Sequence, residues 1–319
     1  MKEFEIGGIK IKNRYVQAPI AGYTSYAARE LDYKYGCGLA YSEMISATAI
    51  CYQNQKTLEM LPLKREDGLL ALQLFGGDID HVIKAIEYVD NNCKYDFLDF
   101  NFGCPVPKVI KQNAGSSFLL REEEMYTLVR KMVEVCSHPV VCKIRLGFKD
   151  FNYLTTSKLI QDAGAKAIAV HGRTQKEGFV GPVHYDMIRQ IKDQLSIPVI
   201  ANGNIDVSNI DQVEQITHAD AFMFGRSAMG YPKLFEDLIN HELNLPIKER
   251  TKKEQAECML EHLHLLIEEK GEHMACQLFR GMACFYLKGI DQAKELKTKL
   301  IKCNTKQDFD DILIPLTLD

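Results

Sequence analysis

Asp99-Phe100-Asn101-Phe102-Gly103-Cys104-Pro105 is the stretch that decides how this chain is read. It closes an apolar run beginning at Tyr95, which reads as a buried strand. A polar Asn ends the run and a Gly-Cys-Pro turn follows. Gly frees the backbone there, and Pro forbids continuation of the strand. The Cys104 thiol is therefore expected on a rigid turn at a strand's C-terminal end, where parallel α/β folds keep their chemistry. Alone, Cys104 would read as one more small buried hydrophobe. Its company changes that reading.

Working outward, short apolar runs recur at Tyr15–Ala18, Leu39–Ser42, Leu70–Leu74, Phe97–Asn101, Val140–Arg145, Ala167–His171, Pro198–Asn202 and Ala221–Gly225. They start roughly 23 to 43 residues apart, the spacing of strand-plus-helix units. Segments of helical period lie between them, among them Ile79–Asn91, Glu122–Cys136, Tyr153–Ala163 and Tyr185–Gln194. Eight such units predict an α/β fold, a (β/α)8 TIM barrel. A doubly wound open sheet is the alternative, weakened because no G-x-G-x-x-G follows the first strand. After Gly225-Arg226 the pattern changes, and Glu254–Lys270, Met274–Lys288, Asp291–Ile301 and Lys306–Ile312 read as helices. The expected organisation is a barrel over residues 1–240 followed by a smaller all-α domain over 241–319, with the boundary near Asn240.

The 319 residues carry a formal charge of −4, with 46% hydrophobic and 26% charged side chains. That composition is ordinary for a water-soluble protein and gives no global basic footprint, so a nucleic acid would need a local patch. Ten cysteines without a single C-x-x-C pair argue against a zinc ribbon or an iron–sulfur cluster, and no metal is expected. The N-terminus does not read as a signal peptide and no run approaches a membrane span. The expectation is a cytoplasmic protein with reduced thiols, acting as a monomer away from membranes.

Each strand end carries residues that a purely structural barrel does not need. The first gives Ala18-Pro19-Ile20-Ala21-Gly22, a tight turn that lets a flat ligand approach the backbone. The third gives Gln73, the fourth Asn101 and Cys104, the fifth Lys143 and Arg145, and the sixth His171-Gly172-Arg173-Thr174. Burying an ammonium is costly unless it is paired, so Lys143 within an apolar run stands out. Asn202-Gly203-Asn204 and Gly225-Arg226 close the seventh and eighth units. They offer backbone N–H groups and a guanidinium where barrels of this kind bind phosphate.

Taken together, Ala18-Pro19-Ile20-Ala21-Gly22, Gln73-Leu74-Phe75-Gly76, Asn101-Phe102-Gly103-Cys104-Pro105, Lys143-Ile144-Arg145, His171-Gly172-Arg173-Thr174, Asn202-Gly203-Asn204-Ile205 and Gly225-Arg226 resemble the tRNA-dihydrouridine synthases. Order and spacing agree from residue 10 to about 230, and the helical tail fits as well. The resemblance implies an oxidoreductase that reduces the C5–C6 bond of uridines in tRNA, using FMN reduced by NADPH or NADH. It implies that Pro19, Ile20, Ala21, Gln73, Lys143 and His171 line the flavin, and that Asn202, Gly203, Asn204, Gly225 and Arg226 hold its phosphate. It implies that Cys104 is the catalytic cysteine, and the chemistry agrees: a thiol stays mostly protonated at neutral pH and can still give up its proton. Asn101, Arg145 and Arg173 are the candidates for contact with the substrate base.

Ile20 and Tyr23-Thr24-Ser25 stand where that family commonly has Met and Val/Ile-Thr-Asp. In the tail, Arg280-Gly281-Met282 replaces an Arg-Lys-His run, while Tyr286-Leu287-Lys288-Gly289 is intact. Lys288, Lys294, Lys297, Lys299, Lys302 and Lys306 offer a substitute basic patch or simply a solvated helix face. Two alternatives remain: an FMN barrel acting on a small molecule, and an RNA-binding relative that has lost catalysis.

Overall fold

The structure, a computed structural model, describes residues 1–318; Asp319, the last residue of the expected tail domain, lies outside them. The chain opens with a hairpin, β1 (Phe4–Ile6) and β2 (Ile9–Ile11), paired antiparallel around Gly7-Gly8. β3 (Tyr15–Gln17), α1 (Tyr26–Lys34) and β4 (Leu39–Tyr41) follow, then the short β5 (Ile45–Ser46), α2 (Ala47–Cys51) and α3 (Gln55–Leu58). Next come β6 (Leu69–Phe75), α4 (Ile79–Asn92), β7 (Phe97–Phe102), α5 (Pro107–Ile110), α6 (Glu122–Val135), β8 (Val140–Arg145) and α7 (Tyr153–Asp162). β9 (Ala167–His171), α8 (Tyr185–Gln194), β10 (Val199–Asn202), α9 (Ile210–Thr217), β11 (Ala221–Phe224) and α10 (Leu234–Glu242) complete this part. The tail holds α11 (Lys252–Lys270), α12 (Glu272–Tyr286), α13 (Ala293–Leu300) and α14 (Lys306–Leu318).

The strands pair in parallel in the order β3-β4-β6-β7-β8-β9-β10-β11, and β11 returns to β3, with Met223 opposite Val16. This closes a TIM barrel. The eight expected strands are present with ends shifted by at most one residue. The hairpin and β5 escaped the sequence reading, because two or three residues give no period to detect.

Alternation along the strands sorts the core into two shells. Leu72, Phe100, Cys142, Ile168, Ala201 and Phe222 point outward, under the helices. Val16, Leu39, Tyr41, Ala71, Phe97, Val141, Ala169, Ile200 and Met223 point inward, and Ile6 and Ile11 of the hairpin join them. The hairpin thus plugs the N-terminal end of the barrel, leaving the C-terminal end as the mouth.

The tail is a second core. Met259, Leu263, Leu266, Phe279, Met282, Tyr286, Leu300, Phe309 and Leu313 pack together, and Tyr23, Ala27 and Ala28 of the barrel join them. A capping box starts α11: the Thr251 side chain accepts from Glu254 N at 3.1 Å while the Glu254 carboxylate reaches back. On the barrel side of the seam, Tyr23 OH accepts from Gly230 N at 2.6 Å, and across it Gly230 lies so close to the Phe285 backbone that a Cβ would come within 2.3 Å of it. Met282 is buried in this core, Gly281 is exposed and Arg280 is half-buried. No helix among the described residues is long and apolar enough to cross a membrane.

Candidate active site

The polar residues of the mouth continue the inward-facing rows of the strands. Gln73 lies two residues beyond Ala71, Asp99 beyond Phe97, Lys143 beyond Val141, His171 beyond Ala169, and Asn202 beyond Ile200. A side-chain period of two puts each on the same face as its apolar predecessor, so the barrel interior changes from apolar to polar within one step. Register makes them neighbours: Gln73 is opposite Asp99, Asn101 opposite Lys143, and His171 opposite both Arg145 and Asn202.

Cys104 sits on the turn after β7, 8% exposed. Asn101 Oδ1 accepts from Gly103 N at 3.0 Å and from Cys104 N at 2.8 Å, pinning the turn from the strand side. From the other side, Ser116 N and Oγ donate to Cys104 O at 3.2 and 2.8 Å. Gly115 allows that return: its φ is +61°, and a Cβ would lie 2.9 Å from Cys104 O. Burial pushes the thiol pKa upward, against smaller opposing effects of the Val106 backbone N–H, Arg145 and Lys143. The thiol is therefore held in its protonated form at neutral pH rather than as a thiolate.

Lys143 Nζ donates to Asn202 Oδ1 at 3.1 Å, and Asn202 Nδ2 is tied to Met223 O at 2.9 Å. Burial, with Arg145 second, brings the Lys143 ammonium down to about 8, and the Asp99 carboxyl opposes the fall. Burial lifts Asp99 itself to about 8. His171 is 7% exposed; burial and the surrounding Arg145, Lys143, Arg173 and Arg226 hold it far below its ordinary value, so it is neutral. Arg173 Nη1 lies 3.3 Å from His171 Nε2, and because a guanidinium only donates, that nitrogen accepts and Nδ1 carries the hydrogen.

The three candidates for base contact are already engaged. Arg145 donates to Gly103 O at 2.8 Å, Thr174 O at 2.9 Å and Gly178 O at 2.7 Å, so it binds the Cys104 turn to the loop after β9. Arg173 donates to Gly181 O at 2.6 Å through Nη2. Asn101 uses its oxygen on the Cys104 turn and its nitrogen on Gln73. These bonds organise the site. Phe179 is a mouth residue that the sequence reading missed. Its exposed ring lies 5.2 Å from the Arg145 guanidinium, 5.4 Å from that of Arg226 and 6.0 Å from the His171 ring. A lone aromatic between Gly178 and Gly181, just past His-Gly-Arg-Thr, was the available signal.

At the far side, Arg226 Nη2 donates to Asn204 Oδ1 at 2.7 Å, joining the ends of β10 and β11. Asn204 has φ +49° and Gly203 φ +126°, which turn the backbone sharply there. The N–H groups of Gly203, Asn204, Gly225 and Arg226 find no protein acceptor among the described residues. Four such donors beside an exposed guanidinium suit a phosphate. Pro19 and Ile20 are half-buried and Ala21 exposed, completing the rim beside Gly225, whose missing Cβ would stand 3.7 Å from Ala18 Cβ. The donor set as a whole fits an anionic ligand with a phosphate at one end. No group of His, Cys, Asp and Glu able to hold a metal ion occurs among the described residues.

The family model for dihydrouridine synthases matches residues 16–317. The tRNA-dihydrouridine synthase B of Vibrio vulnificus (strain CMCP6) is 34% identical over 298 residues, covering 92% of this chain and 92% of the relative. That of Pasteurella multocida (strain Pm70) is 36% identical over 293 residues, covering 89% and 87%. Among solved structures, the old yellow enzyme from Trypanosoma cruzi superposes with a TM-score of 0.55 at 12% identity, over 78% of this chain and 93% of that one. Morphinone reductase gives 0.54 at 14% identity, over 77% and 90%. At those identities the two structures speak for the barrel fold.

Proposed function

The chain belongs to the dihydrouridine synthase family, and from that membership we propose that it is a flavin-dependent oxidoreductase converting uridines of tRNA to dihydrouridines. The observation that carries this reading is the Cys104 turn: a protonated, nearly buried thiol pinned at the barrel mouth, within the electrostatic reach of Arg145 and Lys143.

We take the flavin to be FMN. The fit rests on two features: the four free backbone N–H groups with Arg226 for its phosphate, and Lys143 for the ring. Pro19, Ile20, Ala21, Gln73 and His171 would line the ring. Bound there, FMN would supply the hydride that uracil C6 receives, drawn from NADPH or NADH. Cys104 Sγ–H gives the proton to uracil C5, and burial keeps that proton in place until it is needed. Among the described residues Lys143 has one hydrogen-bond partner, and it keeps further N–H donors for an electron-rich ring edge. Arg145, through Gly103, Thr174 and Gly178, keeps the thiol turn and the Phe179 loop in fixed relation. A uridine inside a tRNA fold must leave its stack to reach this mouth. We assign residues 1–240 to the catalytic barrel and 241–319 to holding the tRNA. We place the protein in the cytoplasm as a monomer, a setting in keeping with its free cysteines.

The test is chemical. Purified FMN-loaded protein with NADPH should add two hydrogens to uridines of unmodified tRNA, read by mass spectrometry of the digested nucleosides. Equal turnover of free uridine would replace this reading by one with a small-molecule substrate.

A further inference from the structure

Asp99 has no exposed surface and stands between Leu98 and Phe100 in β7, yet the proton transfer does not use it. A buried carboxyl is costly unless it answers a need. The need becomes visible by following hydrogen bonds back from the Cys104 turn. The N–H groups of Gly103 and Cys104 can only donate, and both donate to Asn101 Oδ1, at 3.0 and 2.8 Å. This fixes the Asn101 amide with its nitrogen turned away, where Nδ2 donates to Gln73 Oε1 at 2.9 Å. Gln73 is fixed in turn, and its Nε2 donates to Asp99 Oδ2 at 2.5 Å. The last member of the row must therefore accept. A carboxyl does so in either protonation state, because the proton of the neutral acid can sit on Oδ1, which has no partner among the described residues.

The geometry points to Asp99 as a positioning residue: it anchors the far end of an amide row, Asp99–Gln73–Asn101, that holds the Cys104 turn. Without an acceptor at 99, Gln73 Nε2 is buried with no partner, and Gln73 is no longer held against Asn101. Asn101 then loses the bond that orients its amide, and the turn held on its oxygen loosens. The link to catalysis rests on the reading of Cys104 as proton donor; the link to the turn does not.

The experiment compares Asp99→Leu, which fills the same space without an acceptor, with Asp99→Asn, whose amide oxygen can still accept. Both are prepared as full-length protein saturated with FMN. Two quantities are read: amide hydrogen exchange in the peptide holding Asn101–Pro105, and the rate of uridine reduction in tRNA. Asp99→Leu should speed exchange about tenfold and slow reduction by a similar factor, the loss of one to two hydrogen bonds. Asp99→Asn should stay within about threefold of the parent in both. Parent-like exchange in Asp99→Leu, or equal losses in the two variants, would overturn the assignment. If Asp99→Leu does not fold, Gln73→Met decides: fast exchange supports the row and parent-like exchange refutes it. If the parent itself reduces no uridine, the exchange arm still judges the row while the functional reading falls.

Discussion

At the barrel mouth, Gln73, Asp99, Asn101, Arg145 and Arg173 are between 0% and 7% exposed, and each bonds to a neighbour whose position it fixes. On the tail, Lys288, Lys294 and Lys297 are exposed and form no ion pair among the described residues. The mouth spends its polar groups on geometry and the tail leaves them to solvent. The difference teaches where tolerance lies. A proton transfer fails with a displacement of an ångström, so its supports are locked. Contact with a polyanion sums many weak, adjustable attractions, so no single residue there needs a fixed position.

The seam joining the two regions should give the largest response. Gly230→Ala places a Cβ at φ +66° against the Phe285 and Tyr286 backbone. We expect a loss of about 3 kcal/mol in denaturant unfolding. Unchanged stability would mean that barrel and tail are not rigidly joined there. Within the mouth, Arg226→Ala should weaken FMN binding about tenfold, the worth of one charge-assisted bond. Titration of the stripped protein with FMN checks this, and unaltered affinity would move the phosphate elsewhere. In the tail, Lys294→Ala with Lys297→Ala should raise KM for tRNA only about threefold and flatten its salt dependence, leaving kcat alone. A collapse of kcat in that double variant would erase the contrast between the two regions.

A pH profile sharpens the same contrast. Burial raises the Cys104 thiol pKa, and in the proposed role the protonated form is the one that works. The alkaline decline of uridine reduction should therefore lie above pH about 8.5, where a free thiol ionises. Lys143 loses its proton at about 8, so only a decline centred well below that would indicate a thiolate held by Lys143 and Arg145.

Much of the fold was legible because strands buried on both faces read as apolar runs broken by helical periods. Val140–Arg145 and Ala167–His171 have the ends that the sequence suggests. The mouth residues were legible for the opposite reason, since Lys143 and His171 interrupt that apolar pattern. Asp99 interrupts it too, but a sequence does not say which amide answers which carboxyl. The employment of Arg145 on three carbonyls was hidden likewise, because Thr174 and Gly178 come near it only once the loop after β9 has folded. The hairpin plug was invisible at three residues per strand.

The central claim is that Cys104 supplies the proton at C5 while FMN supplies the hydride. One single-turnover measurement tests it most directly. Parent protein and Cys104→Ala, each FMN-loaded and reduced without oxygen, are mixed with unmodified tRNA while the visible absorption of oxidised flavin is followed. The parent should regain that absorption with one dihydrouridine formed per flavin. Cys104→Ala should bind FMN and take up electrons normally, yet regain it about 10²- to 10⁴-fold more slowly. Equal rates in the two proteins would remove Cys104 from the proton transfer.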